Sequence, residues 1–294
     1  MLADREADST FEDGGRVPYE VGIPTTNTTR PRPCALCLRN RELRDSHLIP
    51  KAAYRLIKKT SGESPVVITK GLVSTTDLQV HRYLLCDECE QRFAGPERYA
   101  LFQCNRGRRF RLQELLGTLT PLVENADPVP YDTSGVPGLL DIPSLVYFSS
   151  SLLWRASVST WRFWGQMITL DLGRKYNEEF RRYLLGESGF PADAAVWISV
   201  TSSREPPFVC VGPHLRSKTT YHQFEMQIFG IRWSMFVGRE IHPTVRRMCS
   251  LRAPEGFIYS SNSPDSLAVQ GVGNLMTTAR IAQNVEITQP PRER

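Results

Sequence analysis

The chain has 294 residues, 40% of them apolar and 23% charged, with 36 basic against 31 acidic side chains. That mix can bury a sizeable core and excludes a chain disordered throughout. The net charge of +5 permits a polyanionic partner without requiring one. No apolar run reaches the roughly 18 residues of a membrane-spanning helix. The longest, Ile142 to Met167, is broken by Arg155 and Arg162. The first residues are acidic, with no apolar stretch of the kind that opens a secretory leader. The expectation is a cytoplasmic protein with no membrane partner.

Residues 1–33 are polar, rich in Thr, Gly and Pro, and end in Arg30-Pro31-Arg32-Pro33, which predicts a disordered or extended arm. A first domain is expected over 34–116. Within it Pro50 opens a short helix reaching about Lys59. A second short helix begins at Glu90 to Phe93, and Gly95-Pro96 should end or kink it. Residues 117–142 carry many Pro, Gly and Asp without a period and read as a linker.

A second, α+β domain is expected over 143–283. The pattern predicts a helix from Ser144 to Gln166, with Leu152, Leu153, Trp161 and Phe163 on its buried face. Another helix covers 173–185 and ends near Gly186. Strands follow at Ala194–Val200, Tyr221–Phe229 and Ile231–Val237, the last two joined at Gly230. The stripe of Trp154, Trp161 and Trp164 reads as core rather than as a platform for stacking bases. This domain carries no catalytic pattern and no internal repeat, and residues 284–294 read as a tail.

Seven cysteines are present, and four fall in two pairs of equal spacing, Cys34-Ala35-Leu36-Cys37 and Cys86-Asp87-Glu88-Cys89. A two-residue gap lets both thiolates of one tight turn reach the same ion, and two such turns complete the tetrahedral set of structural Zn²⁺. The long segment between the pairs is no obstacle, because closure entropy grows slowly with length. A redox pair is the alternative, but such pairs sit beside a βαβ pattern that is missing here. A four-thiolate site has no open position, so any catalysis must come from other residues.

Between the pairs lies Asp45-Ser46-His47-Leu48-Ile49-Pro50, and His81-Arg82-Tyr83-Leu84-Leu85 leads into Cys86. A Cys-x-x-Cys, a His-x-x-Pro and a Leu-Leu-Cys-x-x-Cys followed by a polar residue resemble the zinc-stapled branch of the HNH endonucleases, over about residues 34–99. The resemblance implies an α+β chain: an N-terminal zinc-stabilised ββα, treble-clef-like nuclease unit joined to a C-terminal α+β unit. It places His47 as general base and His81 where the family has an Asn that orients the base. Glu90 falls where the family binds a catalytic cation, Mg²⁺ or Mn²⁺. Two positions depart from the pattern. Ser46 stands where the family often has a ligating Asp or His, and His81 replaces the Asn. Asp45, on the same side of an extended strand as His47, is the substitute ligand. Glu97 is a weaker candidate, because it lies about 10.5 Å along the helix from Glu90.

Arg98, Arg106, Arg108, Arg109 and Arg111 occupy a stretch without acidic residues, interleaved with Tyr99, Phe102 and Phe110. Such a run suits phosphate contacts, which give affinity without reading sequence. The alternative is a solvated face that balances acidic residues elsewhere. The leading expectation is therefore a metal-dependent HNH-type endonuclease acting on DNA. By family context it would serve in prokaryotic defence against phage. The second unit is left to bind a protein partner, form an oligomer or position substrate. The rival is a zinc-scaffolded module that binds nucleic acid or protein and cuts nothing.

Overall fold

In the computed structural model of the chain, the described residues are 32–61, 66–69, 72–75, 79–104, 111–123, 129–133, 140–163, 166–201, 210–251, 257–261 and 280–281. Nearly all of the expected arm, the tail at 284–294 and Trp164 lie outside them. Strands β1 (Arg32–Pro33) and β2 (Asn40–Arg41) pair antiparallel around a tight turn. In that turn the Leu38 N–H donates to the Cys34 carbonyl at 2.8 Å, and Leu38 itself takes a left-handed φ of 61°. β3 (Leu43–His47) follows, then Pro50 and α1 (Lys51–Ser61), close to the expected bounds. β4 (Val66–Thr69) and β5 (Leu72–Thr75) form a hairpin, and β6 (His81–Cys86) returns antiparallel to β3.

α2 (Asp87–Gln103) begins directly where β6 ends and continues through Gly95-Pro96 without ending there, where an end or a kink was expected. Pro96 cannot donate to the carbonyl of Arg92, but Arg92 is exposed, so water can take that place at modest cost. α3 (Arg111–Leu116) and β7 (Val129–Asp132) come next. The stretch read as a linker thus contains a sheet strand. β7 pairs with a strand far along the chain, Tyr131 opposite Ile258, a partnership no local period reveals.

α4 (Ile142–Val158) starts at Asp141, whose carboxylate accepts the Ser144 N–H at 2.9 Å, with Pro143 in the first turn. It stops well before Gln166. Ser159 is extended, and the β-favouring Trp161-Arg162-Phe163 becomes β8 (Trp161–Phe163), paired with β9 (Gln166–Ile168). α5 (Gly173–Leu185) ends at Gly186, whose φ of 76° lets two amides turn back onto the Arg182 and Tyr183 carbonyls. β10 (Ala194–Thr201), β11 (Cys210–Lys218), β12 (His222–Ile228), β13 (Ile231–Val237), α6 (Pro243–Arg247), β14 (Phe257–Ser261) and β15 (Arg280–Ile281) complete the described elements.

Six strands form the main sheet in the order β11-β12-β13-β10-β14-β7, antiparallel except for the β10–β14 pair. The register puts Val196 beside Met235 and Ile198 beside Trp233, so alternate apolar side chains share one face. α4 covers that face: Phe148 meets Trp233 edge-on at 5.5 Å between ring centres, and Ser149 lies 3.8 Å from the Met235 sulfur. α2 and α5 pack on the remaining sides of α4. Twelve of its seventeen residues are buried, which makes it a central helix and not a surface one. Its buried Ser149 and Ser151 hydroxyls donate to the carbonyls of Val146 and Phe148. Trp154 and Trp161 are fully buried, as a core reading requires.

The chain is thus a mixture of helices and sheets, and a single buried cluster runs from Cys34 to Ile258. Among the described residues no helix is long and apolar enough to cross a membrane.

Candidate functional site

Cys34 and Cys37 sit in the turn between β1 and β2, Cys86 closes β6, and Cys89 stands in the first turn of α2. The two Cys-x-x-Cys pairs converge, with all four sulfur atoms within 4.8 Å of one another. Cys37 Sγ lies 3.8 Å from Cys86 Sγ. Zinc–sulfur bonds of about 2.3 Å in a tetrahedron put sulfurs about 3.8 Å apart, so the donor set fits such an ion. All four are free thiols. Burial pushes the Cys86 and Cys89 thiols up, so they resist ionising without a cation to balance them. The Cys86 N–H points at Cys34 Sγ from 3.3 Å, the kind of contact that supports a thiolate. These four cysteines can hold a metal ion such as zinc, and no other group of three or more His, Cys, Asp or Glu closes as tightly among the described residues.

Away from the thiols, β3 and β6 present a row of polar side chains. His47 stands opposite His81, with ring centres 5.4 Å apart and planes 26° from parallel. A bulge between Arg44 and Asp45 shifts the register, and Asp45 Oδ1 meets His81 Nδ1 at 2.6 Å. Asp45 therefore engages the second histidine directly. His47 is half-buried, and desolvation holds its imidazole below the ordinary histidine value, which favours the neutral ring. Gln79 lies beside that ring.

The opposite side of β3 faces the protein interior. The Ser46 hydroxyl is buried and accepts the Leu85 N–H at 3.2 Å. Glu90, in the first turn of α2, sits next to that hydroxyl. Burial raises its carboxyl above the usual range, and its Oε1 meets no donor among the described residues. Two turns further along α2, Glu97 binds Arg155 of α4, Oε1 to Nη2, at 2.5 Å. The same guanidinium donates through Nη1 to the His47 carbonyl at 2.7 Å and lies 5.1 Å over the Phe93 ring. Of the candidate residues, His47, His81 and Asp45 are thus gathered on one side of the strand, and Glu90 lies with Ser46 on the other.

Arg155 escaped the sequence reading as a site residue, although its signal was present. It is a charge breaking the longest apolar run, and a charged group inside a buried helix must be paired. It belongs to a set. Arg82 donates to the Thr160 carbonyl at 2.5 Å, Arg92 to that of Leu185 at 3.2 Å, and Arg181 to that of Leu36 at 2.8 Å. Each arginine joins the 34–104 stretch to the helices and hairpin that follow.

The expected basic segment is partly in view. Arg98 is exposed on α2, and Arg111 lies 4.7 Å over the Phe102 ring. Tyr99 accepts the Asp141 N–H through its hydroxyl at 2.6 Å, so it serves the start of α4. Arg106, Arg108 and Arg109 lie outside the described residues.

Compared with known proteins, the chain matches no family model, no curated protein and no solved structure. What the molecule does must be argued from the site itself.

Proposed function

We propose that the chain is a metal-dependent endonuclease of the HNH type, cutting phosphodiester bonds of DNA beside a structural zinc. The observation that carries the reading is the run β3–β6–α2. His47, its ring favoured in the neutral form, ends the first strand, and His81 stands opposite it, held by Asp45. The first turn of the helix carries Glu90, whose buried Oε1 meets no donor among the described residues.

In this reading the four cysteines keep the β6–α2 junction in place. Arg155 fixes the backbone at His47 through its carbonyl, and Asp45 sets the ring of His81. Hydrolysis joins a water oxygen to phosphorus and breaks one ester bond. His47 takes the water's proton, and the departing oxygen is protonated by solvent. Glu90 lies across β3 from His47, so the Mg²⁺ or Mn²⁺ it would hold, with the Ser46 hydroxyl beside it, would have to meet the phosphate at the end of the strand, where the ion would supply Lewis-acid stabilisation of the charge.

A second reading has its own support. Ser46 is a weak ligand, and a guanidinium charge already acts on Glu90. A zinc-scaffolded binding module without hydrolysis would look like this. Plasmid cleavage with added Mg²⁺ or Mn²⁺ separates the two, with wild type beside His47→Ala and zinc counted in both. Cutting that falls at least a hundredfold in the variant with zinc retained supports the nuclease. No cutting by either protein, with zinc intact, supports the binding module.

A further inference from the structure

α1 carries no acidic residue. Its inward side is made by Ala53, which is buried, and by Tyr54, Leu56 and Ile57, which are half-buried. The Tyr54 hydroxyl accepts the Val80 N–H at 3.4 Å and ties the helix to the segment before β6. The outward side is different in kind. Lys51, Arg55 and Lys59 are exposed and follow one another at four-residue steps, so they form a single ridge along the helix. Four helical residues rise about 6 Å, so the ridge is about 12 Å long.

Among the described residues these charges answer to no carboxylate. Arg41, Arg44 and Lys175 each answer to a carboxylate, at 3.3, 3.0 and 2.7 Å. Lys51, Arg55 and Lys59 form no ion pair among the described residues. Three like charges in a row repel one another by a few tenths of a kcal/mol per pair, about the size of a favourable i,i+4 pair with the sign reversed. A polyanion relieves that repulsion. One strand of a duplex carries a phosphate about every 3.4 Å of its axis, so a 12 Å ridge meets about three of them. The ridge also begins beside the candidate chemistry. Lys51 is four residues past His47, and its charge acts on that imidazole.

We infer that the Lys51–Arg55–Lys59 ridge of α1 is a phosphate track that lays a DNA backbone alongside His47. The inference rests on the nuclease reading for its placement and adds to it where the substrate lies. The contacts are to phosphate, so the track gives affinity and orientation and does not read sequence.

The test measures binding apart from cutting. A His47→Ala protein, with zinc bound, is titrated against a fluorescein-labelled 20-bp DNA duplex at 50 to 200 mM NaCl without added divalent ion. It is compared with the same protein carrying Lys51→Gln, Arg55→Gln and Lys59→Gln. A control carries Arg216→Gln and Lys218→Gln, two exposed cations on β11. Three lost phosphate contacts should lower the slope of log K against log salt by about 2.7, and affinity at 50 mM should fall at least tenfold. The β11 control should match the parent. Arg55→Gln alone should lower the slope by about 0.9, which guards against a triple variant that fails to fold. A ridge variant that binds like its parent overturns the inference, and so does a parent that binds no duplex. Ridge-dependent binding by a protein that, with His47 intact, cuts nothing would keep the track and overturn the nuclease reading.

Discussion

The thiol corner and the central helix hold the molecule together in opposite ways. At the corner, four side chains from two short stretches of chain meet at one point, with Leu36 buried beside them. Around α4 the contacts are spread over α2, α5 and a sheet face. The corner is a local device that a few atoms can abolish. The helix is a distributed device whose weak point is its one buried charge. Between them run the arginine-to-carbonyl bonds, so an insult to either region is transmitted to the strand that carries His47.

The contrast sets the order of effects. Removing the corner should do the most harm. Structural zinc contributes about 10–16 kcal/mol in small zinc-folded peptides, and here part of that binding energy would support the β6–α2 junction. Cys89→Ser, or chelation, is expected to release one zinc per chain and abolish the cooperative thermal transition of the 34–104 stretch. Metal analysis and hydrogen exchange check this, and an unchanged exchange pattern without zinc would sink it.

Arg155→Met comes next. It leaves Glu97 without its partner and the His47 carbonyl without its donor, a loss of about 3–5 kcal/mol by the usual cost of a broken buried pair. Urea unfolding reads the loss. Glu97→Gln in the Met background should restore part of it, because the stranded charge is then gone. A cost under about 1 kcal/mol would mean that the guanidinium is not the pin described here.

The smallest effect lies in an exposed ion pair at the start of α5. Asp193 receives Lys175 at 2.7 Å on the surface, and that hydrogen bond, helped by Arg246, holds its carboxyl below the usual range. A depressed carboxyl stabilises above its unfolded value and loses that contribution as pH falls through the folded one. Asp193→Asn should therefore melt slightly below wild type at pH 7, with the gap closing below about pH 4. A gap that widens in acid would reverse the sign of the argument.

The corner was the most legible part of the sequence because its chemistry is local. Two-residue spacings and thiols announce one another without knowledge of the fold. The β12–β13 hairpin and α5 were legible for the same reason, since a turn glycine and a period lie within a few residues of each other. β7 was not, because its partner lies beyond the central helix and the strands between. The end of α4 was misplaced because an apolar run suits a helix or a buried strand, and only the hairpin of β8 and β9 decides between them. At the site, His47 and His81 were foreseen as neighbours. That Asp45 would bind His81 depended on a bulge, which a sequence does not display.

The order in which the parts occur along the chain has a consequence for synthesis. Cys89 comes before α4 begins at Ile142, so all four thiols have left the ribosome while the helix that will cover α2 is still unmade. The corner can capture its ion on a nascent chain, whereas the strand bearing His47 must wait for Arg155. A translational pause between these two points would leave a loaded metal site beside an unbraced histidine. The early-formed part of the molecule is thus its anchor, and the strand bearing His47 is finished only when more than half the chain has been made.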